Sequence, residues 1–266
     1  MEPIKNKQQE FFDFAAEVGL TKHIGGLQAS RTLFGLCEIN SESYVLDVGC
    51  GTGVTPLFLA KKVGCRVVGI DINQGMIRRS LQRAGKEGIT DQVEFRVADA
   101  QELPFDDDTF DVVLTESVTA FPRDKQKAVN EYARVTRPGG YIGLNESTWL
   151  QVPPPPEILD WASLDIGTNV SPLTSAQWVG LLEVAGLNNI IAKTFEINLK
   201  AETKGILQRY GYGEMFRVLF RMLSLYKRSP DYRLFVKRVK REGITPKNLN
   251  RYFGYGLYVG RKTIAD

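Results

Sequence analysis

The segment that most restricts this chain is Val45-Leu46-Asp47-Val48-Gly49-Cys50-Gly51-Thr52-Gly53. An apolar strand runs into three glycines at alternate positions, and a helical pattern, Val54–Val63, follows. Glycine there permits a tight turn and lets a ligand approach the backbone with no Cβ in the way. Around this hub, strand patterns alternate with helical ones. Apolar runs at Tyr44–Val48, Arg66–Ile70, Val93–Val97, Phe110–Leu114 and Tyr141–Asn145 are joined by helix patterns at Val54–Val63, near Gly75–Lys86 and near Lys125–Val135. Such alternation predicts a parallel sheet with helices on both faces. The connection Ala98–Thr109 has turn chemistry in Pro104 and Asp106–Asp108 and little room for a helix, and Pro138-Gly139-Gly140 reads as the turn into the fifth strand.

The flanks complete the plan. Lys7–Val18 and Leu27–Glu38 read as helices separated by a Gly25-Gly26 break. Beyond Glu146, Pro153–Pro156 reads as a stiff connector. A helix pattern at Glu157–Leu164 follows, then one at Ser175–Ala185, capped by Thr174 or Ser175 and stopped by Gly186. Ile190–Ile197 reads as a sixth strand and Tyr252–Val259 as a seventh. The 266 residues are expected to form a single α/β domain: N-terminal helices 1–43, a binding core 44–146, and a C-terminal part 147–266. That last part contains a helical insertion, 200–251, between strands six and seven. The insertion carries fourteen Lys and Arg against four Asp and Glu, whereas the rest of the chain carries twenty against twenty-seven. A basic segment is thus set against an acidic body.

The composition excludes several classes. No apolar run is long enough to span a membrane, and the polar stretch Met1–Glu10 is followed by no signal-like apolar segment. Cys37, Cys50 and Cys65 have neither the number nor the spacing for a disulfide framework or a metal site. A reducing cytoplasm is the expected compartment, and no metal is expected.

The carboxylates narrow the ligand. A dinucleotide fingerprint starting at Gly49 needs glycine at position 54, which is Val54. Asp71 ends the second strand, where a carboxylate can accept both hydroxyls of a ribose. Asp99 follows the third strand, where it can accept from an adenine amine, and Asp47 lies where it can meet a ligand ammonium. Three carboxylates around one cleft suit a ligand with ribose, amine and sulfonium. They would repel a pyrophosphate. S-adenosylmethionine is favoured over NAD.

Residues 44–146 resemble the class I S-adenosylmethionine-dependent methyltransferases, in the branch with a D-x-G-C-G-x-G loop. The resemblance rests on Leu46–Gly53, Gly69-Ile70-Asp71-Ile72, Ala98–Phe105, Phe110-Asp111-Val112-Val113 and Arg137-Pro138-Gly139-Gly140, in that order. It implies a Rossmann-like seven-stranded, mostly parallel sheet with the last strand antiparallel. It also implies roles. Gly49, Gly51 and Gly53 would pack on the methionine part of the cofactor. Asp71 would hold the ribose, with Ile72 against the adenine face. Asp99 and the Ala100 backbone would read the adenine edge, and Thr115 and Glu116 would flank the methionine end.

Methyl transfer from a sulfonium is an in-line displacement, so alignment supplies much of the catalysis. A base is needed only for a protonated nucleophile. The candidates are His23, the only histidine, and Glu116 and Glu146 near strand ends, with Trp149 beside them. His23 reads either as a group before a helix N-terminus facing the cofactor carboxylate, or as a surface or capping residue. Thr115-Glu116-Ser117-Val118 lacks the Asn/Asp-Pro-Pro-aromatic run expected for amine methylation of a base, and it holds no cysteine nucleophile. A small-molecule acceptor fits best, anionic or lipid-like if the basic insertion meets it. An RNA methyltransferase and a non-catalytic cofactor-binding protein are the alternatives. In the insertion, Arg217, Arg221, Ser224 and Arg228 share one helical face and Met215, Leu219, Met222 and Tyr226 another. Tyr232, Phe235, Val236 and Val239 repeat the apolar pattern beside Arg233, Lys237, Lys240 and Arg241. The apolar faces are expected to pack on the sheet. The insertion is expected to cover the acceptor site, with Tyr210, Tyr212 and Phe216 walling a pocket.

Overall fold

The computed structural model describes residues 7–21, 23–164, 171–242 and 246–264. Two helices, α1 (Lys7–Val18) and α2 (Gly26–Leu36), precede the alternating core. The core comprises β1 (Tyr44–Val48), α3 (Val54–Lys62), β2 (Arg66–Asp71), α4 (Gln74–Glu87), β3 (Val93–Val97), β4 (Phe110–Glu116), α5 (Lys125–Val135) and β5 (Thr136–Trp149). Then follow α6 (Pro156–Leu164), β6 (Leu173–Thr174), α7 (Ser175–Val184) and β7 (Leu187–Glu196). The chain ends with α8 (Leu199–Arg228), α9 (Pro230–Glu242), α10 (Leu249–Tyr252) and β8 (Phe253–Lys262). The sheet order is β3-β2-β1-β4-β5-β8-β7, with β6 pairing off this path to β5. Strands β1 to β5 are mutually parallel, and β8 runs antiparallel to both β5 and β7.

The expected mostly parallel sheet with an antiparallel last strand is therefore present, and β7 and β8 are the sixth and seventh strands of the sequence reading. The two-residue β6 is an eighth that no apolar run announces. Strand β5 starts at Thr136, and Pro138-Gly139-Gly140, read as a turn, bulges out within it together with Arg137. Phe110 pairs with Thr136 and Val112 with Tyr141, so four residues loop out opposite Asp111.

Two apolar layers enclose the sheet. On one face α2 and α3 pack with Leu33, Phe34, Leu57 and Leu59 against Val45, Val67 and Leu114. On the other, α5 and α7 pack with Val129, Tyr132, Trp178 and Leu182 against Leu46, Val113 and Leu144. Burial on both sides explains why β1 and β4 read as continuous apolar runs.

In the basic insertion α8 packs through a face other than the expected one, whereas in α9 Tyr232, Phe235 and Val236 face inward as the pattern predicts. Gly211 breaks α8 with φ 72° and ψ 162°. Beyond it, Val218 and Leu225 are buried with Tyr232 on Val18 of α1, not on the sheet. Arg221 lies on the packed side, where its guanidinium donates to the Val18 carbonyl at 2.5 Å and to Glu214 at 2.7 Å. Leu219, Met222 and Tyr226, read as the packing face, are exposed. The reason is chemical: the end of α1 offers carbonyls and Glu17, which Arg221 and Arg228 can satisfy and a purely apolar face cannot.

Candidate active site

The site forms where β1, β4 and β5 end. Val48 is in register with Thr115, and Glu116 with Asn145. Side chains alternate across a strand, so Glu116 and Asn145 face one side of the sheet while Thr115 and Glu146 face the other.

On the first side lies a buried polar cluster. Glu116 accepts hydrogen bonds from the Ser30 hydroxyl at 2.7 Å and the Thr55 hydroxyl at 2.8 Å. Arg209, from α8, donates to Thr55 Oγ1 at 2.8 Å. His23 is buried, neither surface nor capping residue, with Nε2 3.1 Å from Ser30 Oγ and 3.4 Å from the Glu116 carboxylate. Its Nδ1 lies 3.3 Å from both the Asn145 amide and the Ile24 carbonyl. Burial pushes the His23 pKa down to about 4, against the pull of Glu116, so the imidazole is neutral at pH 7. Burial works against the Glu116 carboxylate too, but His23, Arg209 and the two hydroxyls outweigh it and hold that group below its ordinary range. With the imidazole neutral, Arg209 and the hydroxyls supply the part that persists at pH 7.

On the other side, Glu146 is fully buried and engaged by a loop. Its carboxylate accepts from the backbone N–H of Val118 (3.0 Å), Thr119 (2.7 Å) and Ala120 (3.3 Å) and from the Thr115 hydroxyl (3.2 Å). Burial raises its pKa to about 7 despite these donors. The loop it holds begins at Ser117, a non-glycine residue at φ 60°, and carries Val118 onto the glycine loop. A Cβ at Gly49 would collide with the Val118 side chain, and Gly49 itself has φ 71°. Thr115 is thus under the loop and does not join Glu116. Trp149 belongs to a separate apolar group with Trp161 and Phe253.

The glycine loop meets Asp71 as well as Val118. Asp71 accepts from Gly51 N at 2.9 Å and Asn73 N at 2.8 Å, and burial raises its pKa to about 6. Each of its oxygens keeps a second lone pair for a ribose hydroxyl. Ile72 beside it is 70% exposed, an open apolar face. Asp99 accepts from Gln101 N at 2.8 Å in a local turn, and Ala100 packs on the core cluster under β4. Asp47 is buried, its pKa driven well up by burial and by Glu116, and its Oδ2 has no hydrogen-bond partner among the described residues. A buried orphan acceptor of this kind fits the ammonium expected from the sequence. Gly51 is buried, with Thr21 Oγ1 3.0 Å from where its Cβ would stand.

The insertion closes over this loop. The Tyr210 hydroxyl donates to Thr21 O at 2.7 Å and lies 3.4 Å from the Thr52 hydroxyl, with the Arg83 guanidinium over its ring. Of the three aromatic residues expected to wall a pocket, Tyr210 faces the glycine loop and lines the cavity beside Arg209, whereas Tyr212 and Phe216 are exposed. Against Arg209, Ser30 and Thr55 lies a cavity of about 890 Å3, with Phe34 and Phe58 among its apolar lining and Arg31, Lys62 and Lys86 among its cations. The sequence reading missed Ser30, Thr55, Asn145 and Arg209. Thr55 and Arg209 are 154 positions apart, and no local pattern marks the pair.

Residues 45–140 match the family model described as "Methyltransferase domain". An uncharacterized protein of Haemophilus influenzae is 28% identical over 86% of this chain and 92% of its own length. The 27-O-demethylrifamycin SV methyltransferase of Amycolatopsis mediterranei is 38% identical over 46% of this chain, and the match covers only 44% of that enzyme. Among solved structures, the [4+2]-cyclase SpnF superposes with a TM-score of 0.73 at 18% identity, over 98% of this chain and 97% of that one. This last likeness is one of fold.

Proposed function

We propose that this chain, which belongs to the class I S-adenosylmethionine-dependent methyltransferase superfamily, transfers a methyl group from S-adenosylmethionine to a small-molecule acceptor. The observation that carries the reading is the orphaned Asp47 Oδ2, buried at the end of β1 beside a glycine loop that Asp71 ties in place. In this reading Asp47 meets the cofactor ammonium and Asp71 the ribose. Ile72 takes one face of the adenine, while Asp99 and Ala100 take its edge. Gly49, Gly51 and Gly53 leave room for the methionine part. The cofactor supplies a methyl group already activated on sulfonium sulfur.

The chain's own residues orient and screen. Glu116 stays ionised and faces Asp47 closely enough to raise its pKa, so two carboxylates flank the place where a cationic ligand would sit. Both nitrogens of His23 are engaged, so His23 acts as a positioning residue for Glu116. Glu146 positions Val118 over the glycine loop. Arg209 and Tyr210 bring the insertion down on the site and exclude water.

The acceptor is read from the cavity beside Arg209. Aromatic walls and several cations suit a small molecule with an apolar body and an anionic group. RNA is disfavoured because Arg221 is turned inward onto Glu214 and the Val18 carbonyl, and Arg228 is paired with Glu17. The SpnF likeness favours a second reading, in which the fold serves chemistry other than methyl transfer. The charge balance and cysteine usage suit the cytoplasm. The test is calorimetry with S-adenosylmethionine, followed by incubation with a metabolite extract and a search for products heavier by one CH2. Absence of cofactor binding sinks the proposal, and tight binding without any methylated product favours the second reading.

A further inference from the structure

We propose that the outer face of α8 beyond Gly211 docks on an anionic membrane surface. Tyr212, Phe216, Leu219, Phe220, Leu223 and Tyr226 fall at i, i+4, i+7, i+8, i+11 and i+14, one continuous stripe on a helix. All six are exposed, from 41% at Tyr226 to 79% at Tyr212. The opposite face of the same helix is already used, with Val218 and Leu225 buried on α1. The stripe is therefore a second apolar face rather than a core face left uncovered. An exposed aromatic stripe of this length is costly in water and marks a surface that meets something apolar.

Charge decides what it meets. Between Tyr212 and Glu242 the sequence has nine Lys and Arg against three acidic residues. Arg217 and Lys227 border the stripe, and Lys237 and Lys240 are exposed on α9. A second copy of the chain docked through this face would set these cations against their own symmetry mates. A nucleic acid would meet the cations and leave Phe216 and Phe220 in water. An anionic bilayer satisfies both: the rings and leucines enter the boundary between headgroups and acyl chains, and the lysines meet lipid phosphates. Among the described residues no helix is long and apolar enough to cross a membrane, so the contact is peripheral. Gly213, Glu214 and Arg217 of the same helix line the cavity beside Arg209, so docking would bring that cavity close to the lipid surface.

The test is vesicle co-sedimentation with the full chain, using phosphatidylcholine vesicles and phosphatidylcholine–phosphatidylglycerol vesicles. The protein should pellet with the anionic vesicles and stay in solution with the neutral ones. The double variant Phe216→Ser, Phe220→Ser should weaken that partitioning by about tenfold or more, with melting temperature unchanged because both side chains are exposed. Lys227→Glu should weaken it further in low salt than in high salt. Binding to neither vesicle overturns the proposal, as does equal binding by wild type and the serine variant. A wild-type dimer in light scattering that the serine variant dissociates assigns the stripe to a second copy instead. RNA binding lost in Lys227→Glu but kept in the serine variant assigns it to nucleic acid. None of these readouts needs cofactor or turnover, so the result stands apart from the methyltransferase reading.

Discussion

The polar cluster around Glu116 and the loop around Glu146 both put a fully buried carboxylate at the end of the same pair of strands, yet the two are held in opposite ways. Glu116 has Arg209 close by and two hydroxyl donors, and it stays ionised. Glu146 has no guanidinium against it, takes three backbone N–H groups, and is pushed up to about 7. The difference teaches that position at a strand end does not make a carboxylate part of the chemistry. What decides is whether its acceptor capacity is spent on the fold. Glu146 spends it on Thr115 and residues 118–120. Glu116 is tethered by hydroxyls from two separate helices, with His23 beside it, and acts electrostatically on Asp47, whose Oδ2 has no partner among the described residues.

The sharpest way to break this comparison is Glu146→Leu. It leaves three N–H groups without an acceptor, two of them buried, at about 1–3 kcal/mol for each buried one. Urea denaturation should show a loss of about 3–5 kcal/mol, with cofactor affinity falling only as the fold does. A loss below about 1 kcal/mol would mean that water or neighbouring carbonyls serve the loop, and the contrast would collapse.

Next in size is Asp47→Asn. The substitution removes an acid whose ionised form is disfavoured by burial and then by Glu116 and Asp71, so stability should hold or rise. Cofactor affinity should fall about 10- to 100-fold, the worth of a charge-assisted hydrogen bond of about 1.5–3 kcal/mol. This is cleaner than Asp71→Ala, because Asp71 also ties Gly51 and Asn73 and its loss would loosen the loop. Calorimetry showing wild-type affinity in Asp47→Asn would free that residue of its assigned role.

Arg209→Met probes the other half of the comparison. It removes the Thr55 contact and the main cation near Glu116. The pKa of Glu116 should rise toward that of Glu146, seen as an upward move of the acid limb in the pH profile of cofactor affinity. Stability should fall by about 1–2 kcal/mol, measured by urea. An unmoved acid limb would show that the hydroxyls alone set the ionisation of Glu116.

The sequence carried the glycine loop better than the Glu116 cluster. Gly49, Gly51, Asp47 and Asp71 are legible because a strand, a turn and a helix fix their relative places within a few dozen residues. The sheet was legible for the same reason: β1 and β4, buried on both faces, read as unbroken apolar runs. Glu116 was legible as a strand-end acid, but Ser30, Thr55 and Arg209 come from α2, α3 and α8, and only tertiary packing joins them. The insertion misled for a related reason. Its helix has two apolar faces, Val218 with Leu225 and Tyr212 through Tyr226, and periodicity alone does not say which one packs. The carbonyl of Val18, 203 positions before Arg221, settled that choice.

The smallest expected effect comes from protons, and its sign follows from the pKa shifts. The His23 pKa is about 4 in the fold and 6.5 when unfolded, so between those values the unfolded chain takes up a proton that the folded chain refuses. The stability tied to a neutral His23 is whole above pH 6.5 and is lost as pH falls toward 4. Glu146 works the other way: its pKa rises from 4.5 to about 7, so its share is whole below 4.5 and is lost as pH rises through 7. The two slopes oppose each other between pH 4.5 and 6.5, which flattens the wild-type curve. Comparing wild type with His23→Asn cancels the Glu146 share. From pH 7 to pH 5 the wild type should lose about 1–2 kcal/mol more than the variant, measured by urea unfolding at both pH values. Parallel curves would mean that His23 titrates alike in the folded and unfolded chain, and a wild type that gained on the variant as pH fell would mean that His23 already carries a proton at neutral pH, paired with Glu116, so that the cluster resembles an ion pair rather than a carboxylate held by two hydroxyls beside a guanidinium.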